Sequence, residues 1–351
     1  MATTVALDNL QTLRPIRTSN RILAFDFTKG ALVLFMVLYH WLNYFYAVNG
    51  KIYIYLRFLT PSFIFITGFL ISHVHISKYG IGNPLLPKRL FLRGLKLLGV
   101  FVVLNLLISL LFAHSDGGVV VNRFSWPNLY AIFVTGNVFV DRSGKAAAFA
   151  ILVPISYLLM ASAFILILCR FFKYSFHVIC GLLLLSIAIL SGYGIHSLNL
   201  EHLTIGLLGI VFGYASGTDI RKVAEHPYAI MLAYCAYLTA ITLWDVPFGL
   251  RMVGVVLSVA LIYMVGASSG EPGKVRQHII ILGKYSLFGY ISQIAILQVL
   301  HRGLSHLNLR TEVLVISFVA GFALTMISVE LVDRIRPRSV SADRLYRAVF
   351  A

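Results

Sequence analysis

The chain has 351 residues, of which 59% are hydrophobic and only 12% charged. A soluble domain carries about a quarter charged residues, so the composition excludes an ordinary water-soluble enzyme. Apolar stretches long enough to span a bilayer recur from end to end, which predicts an all-α, polytopic membrane protein. A net charge of +16 would suit nucleic acid, but the basic residues fall in short clusters between apolar runs, mostly in alternate loops. That is the positive-inside pattern, and nucleic acid is not an expected partner; membrane lipids are.

A polar arm over 1–20 carries Arg14 and Arg17, and Arg21 leads into the first apolar run. That run lacks a small-residue cleavage site, so it reads as a retained span. An apolar window places ten spans, at 23–45, 52–73, 94–113, 147–169, 177–195, 202–217, 227–245, 247–267, 278–300 and 312–332. One side of such a chain collects Lys78, Lys88, Arg89, Arg93 and Lys96, then Arg170 and Lys173, Arg221 and Lys222, and Lys274 and Arg276. Arg334, Arg336, Arg338, Arg344 and Arg347 join them in a basic tail over 333–351. Arg123, Arg142, Lys145, Arg302 and Arg310 dilute the bias on the other side, and the balance predicts both termini in the cytoplasm. The spans form one transmembrane domain, 21–332. The connection from His114 to Lys145 contains a stretch, 128–140, too short to span, which reads as interfacial or re-entrant. Its glycines and aromatics suit a binding loop or a plain connection.

The first span reads FDFTKGALVLFMVLYHW and carries Asp26, Lys29 and His40. Lys29 and His40 are eleven residues apart, so on a helix they share a face about 16 Å apart along the axis. Asp26 lies one turn before Lys29, within reach of a local ion pair. Two readings are open. Lys29 can snorkel to headgroups while Tyr39, His40 and Trp41 form an interfacial aromatic belt. Alternatively, the polar groups face a partner helix or cavity, because ionisable residues inside a span are costly. In that case a neutral imidazole can take a proton from an attacking hydroxyl or amine, and a cation three turns away can hold the anionic end of a long donor. Acyl-coenzyme A has that layout.

Further along, PSFIFITGFLIS holds Ser62, Thr67 and Gly68, small residues suited to close helix packing. PKRLFLRGLKLLG places Lys88, Arg89, Arg93 and Lys96 at one-turn intervals. They can grip phosphates or serve topology and anionic-lipid contact. LGKYSLFGYISQ sets Ser286, Tyr290 and Gln293 on one face, as a cavity lining or as interhelical hydrogen-bonding groups. Cys169, Cys180 and Cys235 are scattered, and the pairs His73/His75 and His301/His306 lack the spacing of a helical zinc site, so no metal is expected.

In their order and spacing these segments resemble the membrane-bound acyltransferase-3 family and its wider superfamily, which includes heparan-glucosaminide acetyltransferase-like and glucan-succinylating proteins. The residues that carry the resemblance are Arg21, Asp26, Lys29, Gly30 and His40; Phe65 to Ile71; Arg93 and Lys96; and Leu282, Gly283, Ser286 and Tyr290. The chain departs from the pattern in Lys29 for the commoner arginine, Thr67 for serine, and Gln293 where a histidine is often found. The resemblance implies transfer of an acyl group, often acetyl, from cytoplasmic acyl-coenzyme A to an extracytoplasmic sugar, glycan or lipid-linked acceptor, at a bacterial inner (cytoplasmic) membrane. It implies His40 as general base or transient acyl carrier, Asp26 orienting Lys29, and Lys29, Arg93, Lys96 and Arg89 holding donor phosphates. Ser286, Tyr290 and Gln293 would line the cavity, and Trp126 or Tyr130 would stack on a sugar. A homo-oligomer is compatible with all of this. The rival readings are a proton-coupled transporter or flippase of a glycan or lipid, which would use the same polar stripe, and a structural membrane subunit.

Overall fold

The computed structural model describes residues 22–46, 51–112, 125–137, 147–214, 222, 225–244, 246–267, 273–304 and 310–350. The N-terminal arm with Arg14, Arg17 and Arg21 lies outside the described residues, as do Arg123, Arg142, Lys145 and Arg221. Among the described residues all regular structure is helical.

α1 (Leu23–Trp41) runs on into a short wider turn at Leu42–Tyr46. α2 (Lys51–Leu56) and α3 (Leu59–Leu70) follow, and α3 continues through Ile71–Ile76. The longest helix is α4 (Leu85–Phe112), followed by the short α5 (Trp126–Tyr130). Next come α6 (Leu152–Leu168), α7 (Ser175–Gly192), α8 (Leu198–Phe212), α9 (Pro227–Leu243) and α10 (Phe248–Ala267). α11 (Lys274–Lys284) and α12 (Ser286–Leu304) meet at a 93° bend, and α13 (Arg310–Ile335) and α14 (Val340–Phe350) complete the chain.

Six of these helical segments are long and apolar enough to cross a membrane, or seven if the bent pair α11–α12 is one span. α6, α8 and α9 are shorter apolar helices that lie where three further spans are expected from the sequence. The stretch after Trp126 is a short helical piece, in keeping with a segment too short to span. It is pinned to α6 and α8: Asn199 donates to the carbonyls of Ile132 and Phe133 (2.9 and 3.1 Å), Ser197 to Val134, and Tyr157 to Phe133.

Burial sorts the spans into layers. The windows at Leu23–Tyr46 and Ile52–Tyr79 are 61% and 56% buried, whereas the other four spans are only 17–28% buried. α1 is therefore the centre, packed by α3, α10, α11, α12 and α13. α4, α7, α9 and α13 turn apolar residues such as Val103, Leu182, Leu232 and Val319 outward, as a lipid-facing ring requires.

Two backbone crossings set this arrangement. A Cβ at Gly283 would overlap the carbonyl of Asp26, and one at Gly30 would overlap the carbonyl of Ile279, so α1 and α11 touch main chain to main chain. A Cβ at Gly68 would likewise overlap the carbonyl of Gly206 on α8. Lipid gives helices no hydrophobic reason to associate, so such close van der Waals approach is what holds them. Gly68 and Thr67, whose hydroxyl donates to the Phe63 carbonyl (2.8 Å), thus serve packing. Replacing Gly283 by alanine should cost about 1–3 kcal/mol by overpacking. The expected result is a melting temperature several degrees lower in detergent; Gly181→Ala, with nothing within 4 Å of the added carbon, should melt like the parent.

Candidate functional site

At one end of α1, Lys29 Nζ lies 2.7 Å from Asp26 Oδ1, with the two side chains 18% and 7% exposed. The charge is thus held inside the bundle, one turn back on its own helix. Pairing offsets the desolvation that a lone ion would suffer there. Because α1 is unbroken from Leu23 to Trp41, Lys29 and His40 do share a face, about 16 Å apart.

At the other end, both ring nitrogens of His40 are buried. Trp41 fixes the rotation of the helix by donating its indole N–H to Ser317 (2.9 Å) and packing edge-on against Phe318. The next residue back, His40, then points toward α12, where its ring centroid stands 6.3 Å from that of Tyr290. Tyr39 packs edge-on against His40 and Tyr53 at 5.2 and 5.6 Å. Tyr290 is buried, and its ring is 6.3 Å from that of Phe149.

Gln293, one turn beyond Tyr290, is completely buried, and neither end of its carboxamide has a partner among the described residues. Its depth follows from two fixed contacts along the α1–α12 seam. Gly289 sits opposite Val33, and Gln298 donates to the Tyr44 hydroxyl at 3.0 Å. Interpolating between them places Gln293 at about the level of residue 38, within a turn of His40. Ser286 lies half-buried at the start of α12, beside the bend.

Two features of this region were not anticipated from the sequence. Phe149 has φ +56°, the left-handed region that an aromatic side chain disfavours. Asn105 imposes it: its amide donates to the Ala148 carbonyl (3.0 Å) and its oxygen accepts from the Ala148 N–H (2.8 Å). This clamp carries the Phe149 ring onto Tyr290. The second feature is an ion pair between α8 and α10, with Glu201 buried and Arg251 half-buried. Arg251 places one nitrogen 2.8 Å from Glu201 Oε2 and another 3.3 Å from Oε1. An asparagine inside one apolar run and a glutamate and arginine at the edges of two others are the signals that could have found them.

The expected phosphate anchors are only partly gathered. α4 packs mainly on α6, not on α1. Arg89 is exposed and its guanidinium lies 5.3 Å from the Tyr79 ring centre. Arg93 is also exposed on α4, and no described contact joins it to Lys29. Lys96 donates to the backbone carbonyl of Arg347 on α14 (2.8 Å). The basic tail therefore folds as a helix that bridges α4 to the core. Tyr346 packs edge-on against Tyr285 (5.4 Å) and Phe350 against Phe288 (5.6 Å). Asp343 accepts from Arg336 (2.6 and 3.0 Å) and pairs with Arg347 (2.6 Å), while the Arg336 guanidinium sits 4.0 Å over the Tyr346 ring. Trp126 and Tyr130, 82% and 61% exposed on α5, are not part of the buried cluster.

Compared with protein-family models, with curated proteins and with solved structures, the chain matches none of them. The functional reading therefore rests on the residues themselves.

Hydrogen bonds from Arg336, and then from Arg347, hold the Asp343 carboxyl below the usual carboxylate range. A carboxylate with a depressed folded value contributes stability above its unfolded pKa, about 4, and loses it as pH falls through the folded one. Acidifying from about pH 7 to 5 should thus leave α14 docked. Asp343→Asn should free it, read as several-fold faster tryptic cleavage after Arg338 and Arg344. For this pair, Glu201→Gln should lower stability by about 1–3 kcal/mol because it leaves the half-buried Arg251 charge without its partner. The double variant Glu201→Leu with Arg251→Leu should recover most of that loss in the same thermal melt.

Proposed function

We propose that the protein is an integral membrane acyltransferase. It moves an acyl group, acetyl in the simplest case, from cytoplasmic acyl-coenzyme A to a hydroxyl or amine of a sugar, glycan or lipid-linked acceptor. The observation that carries the reading is the placement of a buried ion pair, Asp26–Lys29, and a buried imidazole, His40, on one face of the most enclosed helix. A donor with anionic phosphates at one end and a thioester at the other spans a comparable length. The bilayer topology that goes with it counts ten spans, taking α11–α12 as one and α6, α8 and α9 as three. Both termini lie in the cytoplasm, beside the basic residues.

In the reaction, His40 takes the proton from the acceptor hydroxyl as its oxygen attacks the thioester carbonyl. The new C–O bond forms, the C–S bond breaks, and the proton passes from the imidazolium to the departing thiolate. The products are an ester, or an amide for an amine acceptor, and free coenzyme A. Burial suits this role because a base shielded from water is spared competing hydrolysis and is held in one orientation. Asp26 positions Lys29, whose charge attracts the donor phosphates. Lys96 and Arg93 flank α14, so that helix would form a wall of the donor entrance.

The test uses purified protein in lipid nanodiscs with acetyl-coenzyme A and candidate glycans. The expected result is thiol release that depends on acceptor, together with an acetyl mass increment on the glycan. His40→Ala should reduce transfer by about 10²–10⁴-fold with an unchanged melting temperature. A well-folded His40→Ala protein at full activity would falsify the base assignment. Movement of unmodified substrate across the bilayer without thioester consumption would instead establish the transporter reading.

A further inference from the structure

Resting on that reading, we infer that Gln293 is a catalytic residue whose carboxamide N–H donates a hydrogen bond to the thioester carbonyl oxygen as negative charge gathers on it. Three observations lead there. The Gln293 side chain is fully buried, and both its nitrogen and its oxygen lack partners among the described residues. It stands on the α12 face that meets α1, at about the level of residue 38 and thus beside His40. Tyr290, one turn before it on that face, packs its ring against those of His40 and Phe149, each at 6.3 Å.

Burying a carboxamide without hydrogen bonds is unfavourable, and an apolar side chain of the same length would pack more stably among Ile294 and Leu297. Ser62 and Ser258 also bury hydroxyls without a partner among the described residues. A helical hydroxyl, however, can rotate onto a carbonyl of its own preceding turn, whereas both ends of the Gln293 amide call for outside partners. A buried, unpartnered amide at the level of the proposed base is what a site for developing charge requires: a donor held in place, in a medium with little competing water. An amide suits the task because it does not titrate, so it remains a donor at every working pH. When the acceptor attacks, the C=O bond becomes a C–O⁻ single bond, and the Gln293 N–H lies against that oxygen. His40 holds the acceptor proton at the same moment. Collapse of the intermediate restores the carbonyl, expels the thiolate and leaves Gln293 chemically unchanged. The amide oxygen is left to orient the nearby acceptor hydroxyl or amine.

The deciding experiment compares wild type, Gln293→Met, Gln293→Glu and His40→Ala in nanodiscs. It measures kcat, KM for acetyl-coenzyme A and melting temperature. Gln293→Met should lose about 10²–10³-fold in kcat. Its KM should stay within about twofold, and its melting temperature should be equal to or above that of wild type. Loss of activity alongside retained or gained stability is a pattern that a merely structural glutamine cannot produce. Gln293→Glu should be at least as inactive near pH 7, because a carboxylate repels the developing charge. A Gln293→Met enzyme with wild-type kcat, or one whose kcat falls only in step with melting temperature or KM, overturns the inference. In that outcome an inactive His40→Ala still leaves the acyltransferase reading standing. If wild type consumes no thioester, both fall together.

Discussion

The contact on which the rest of the molecule depends is the crossing of α1 and α11 at Gly30 and Gly283. Each glycine faces a backbone carbonyl of the other helix, and neither position has room for a Cβ. α3, α10, α11, α12 and α13 pack around α1, and a helix so enclosed can carry an aspartate, a lysine and a histidine without presenting them to hydrocarbon. The same crossing leads directly to the 93° bend, because Tyr285, the residue at the break, is held by its hydroxyl on Asp333 (2.8 Å) and packed against Val33 and Leu282. The bend then swings α12 alongside the His40 end of α1. Site and scaffold share one set of contacts.

Much of the fold was legible in the sequence, and for a clear reason. Hydropathy acts segment by segment, so each apolar run could be read without knowledge of its neighbours. The shared face of Lys29 and His40 was readable because it depends only on the pitch of one helix. What could not be read was which segments sit in the middle. α1 and α4 both read as spans by hydropathy, yet one is the enclosed centre and the other an outward-facing rim. That difference comes from glycines whose partners lie more than a hundred residues away, such as Gly68 against Gly206.

The candidate site divides along the same line. Residues that one helix presents together, Asp26 with Lys29 and Tyr290 with Gln293, were found from spacing. Groups that meet only through tertiary contact were not. Arg93 and Lys96 share a helix face with each other, but α4 leans on α6, and it is α14 that brings Lys96 toward the core. Phe149 reaches Tyr290 through a backbone conformation dictated by Asn105, and Glu201 finds Arg251 across two spans. These polar groups are the places where the protein departs from the cheapest apolar packing, and of them Tyr290 comes up against His40 on α1.

The docking of α14 also has a bearing on biogenesis. Lys96 and the carbonyl that receives it are separated by 251 positions, one of the most distant pairings in the bundle. Closing so large a loop is entropically demanding and slow. During synthesis α4 is made long before α14, so Lys96 meets its acceptor only after a further 251 positions have been added. The corner where α4 meets α14 is therefore assembled late, after the helices between them have had the opportunity to pack.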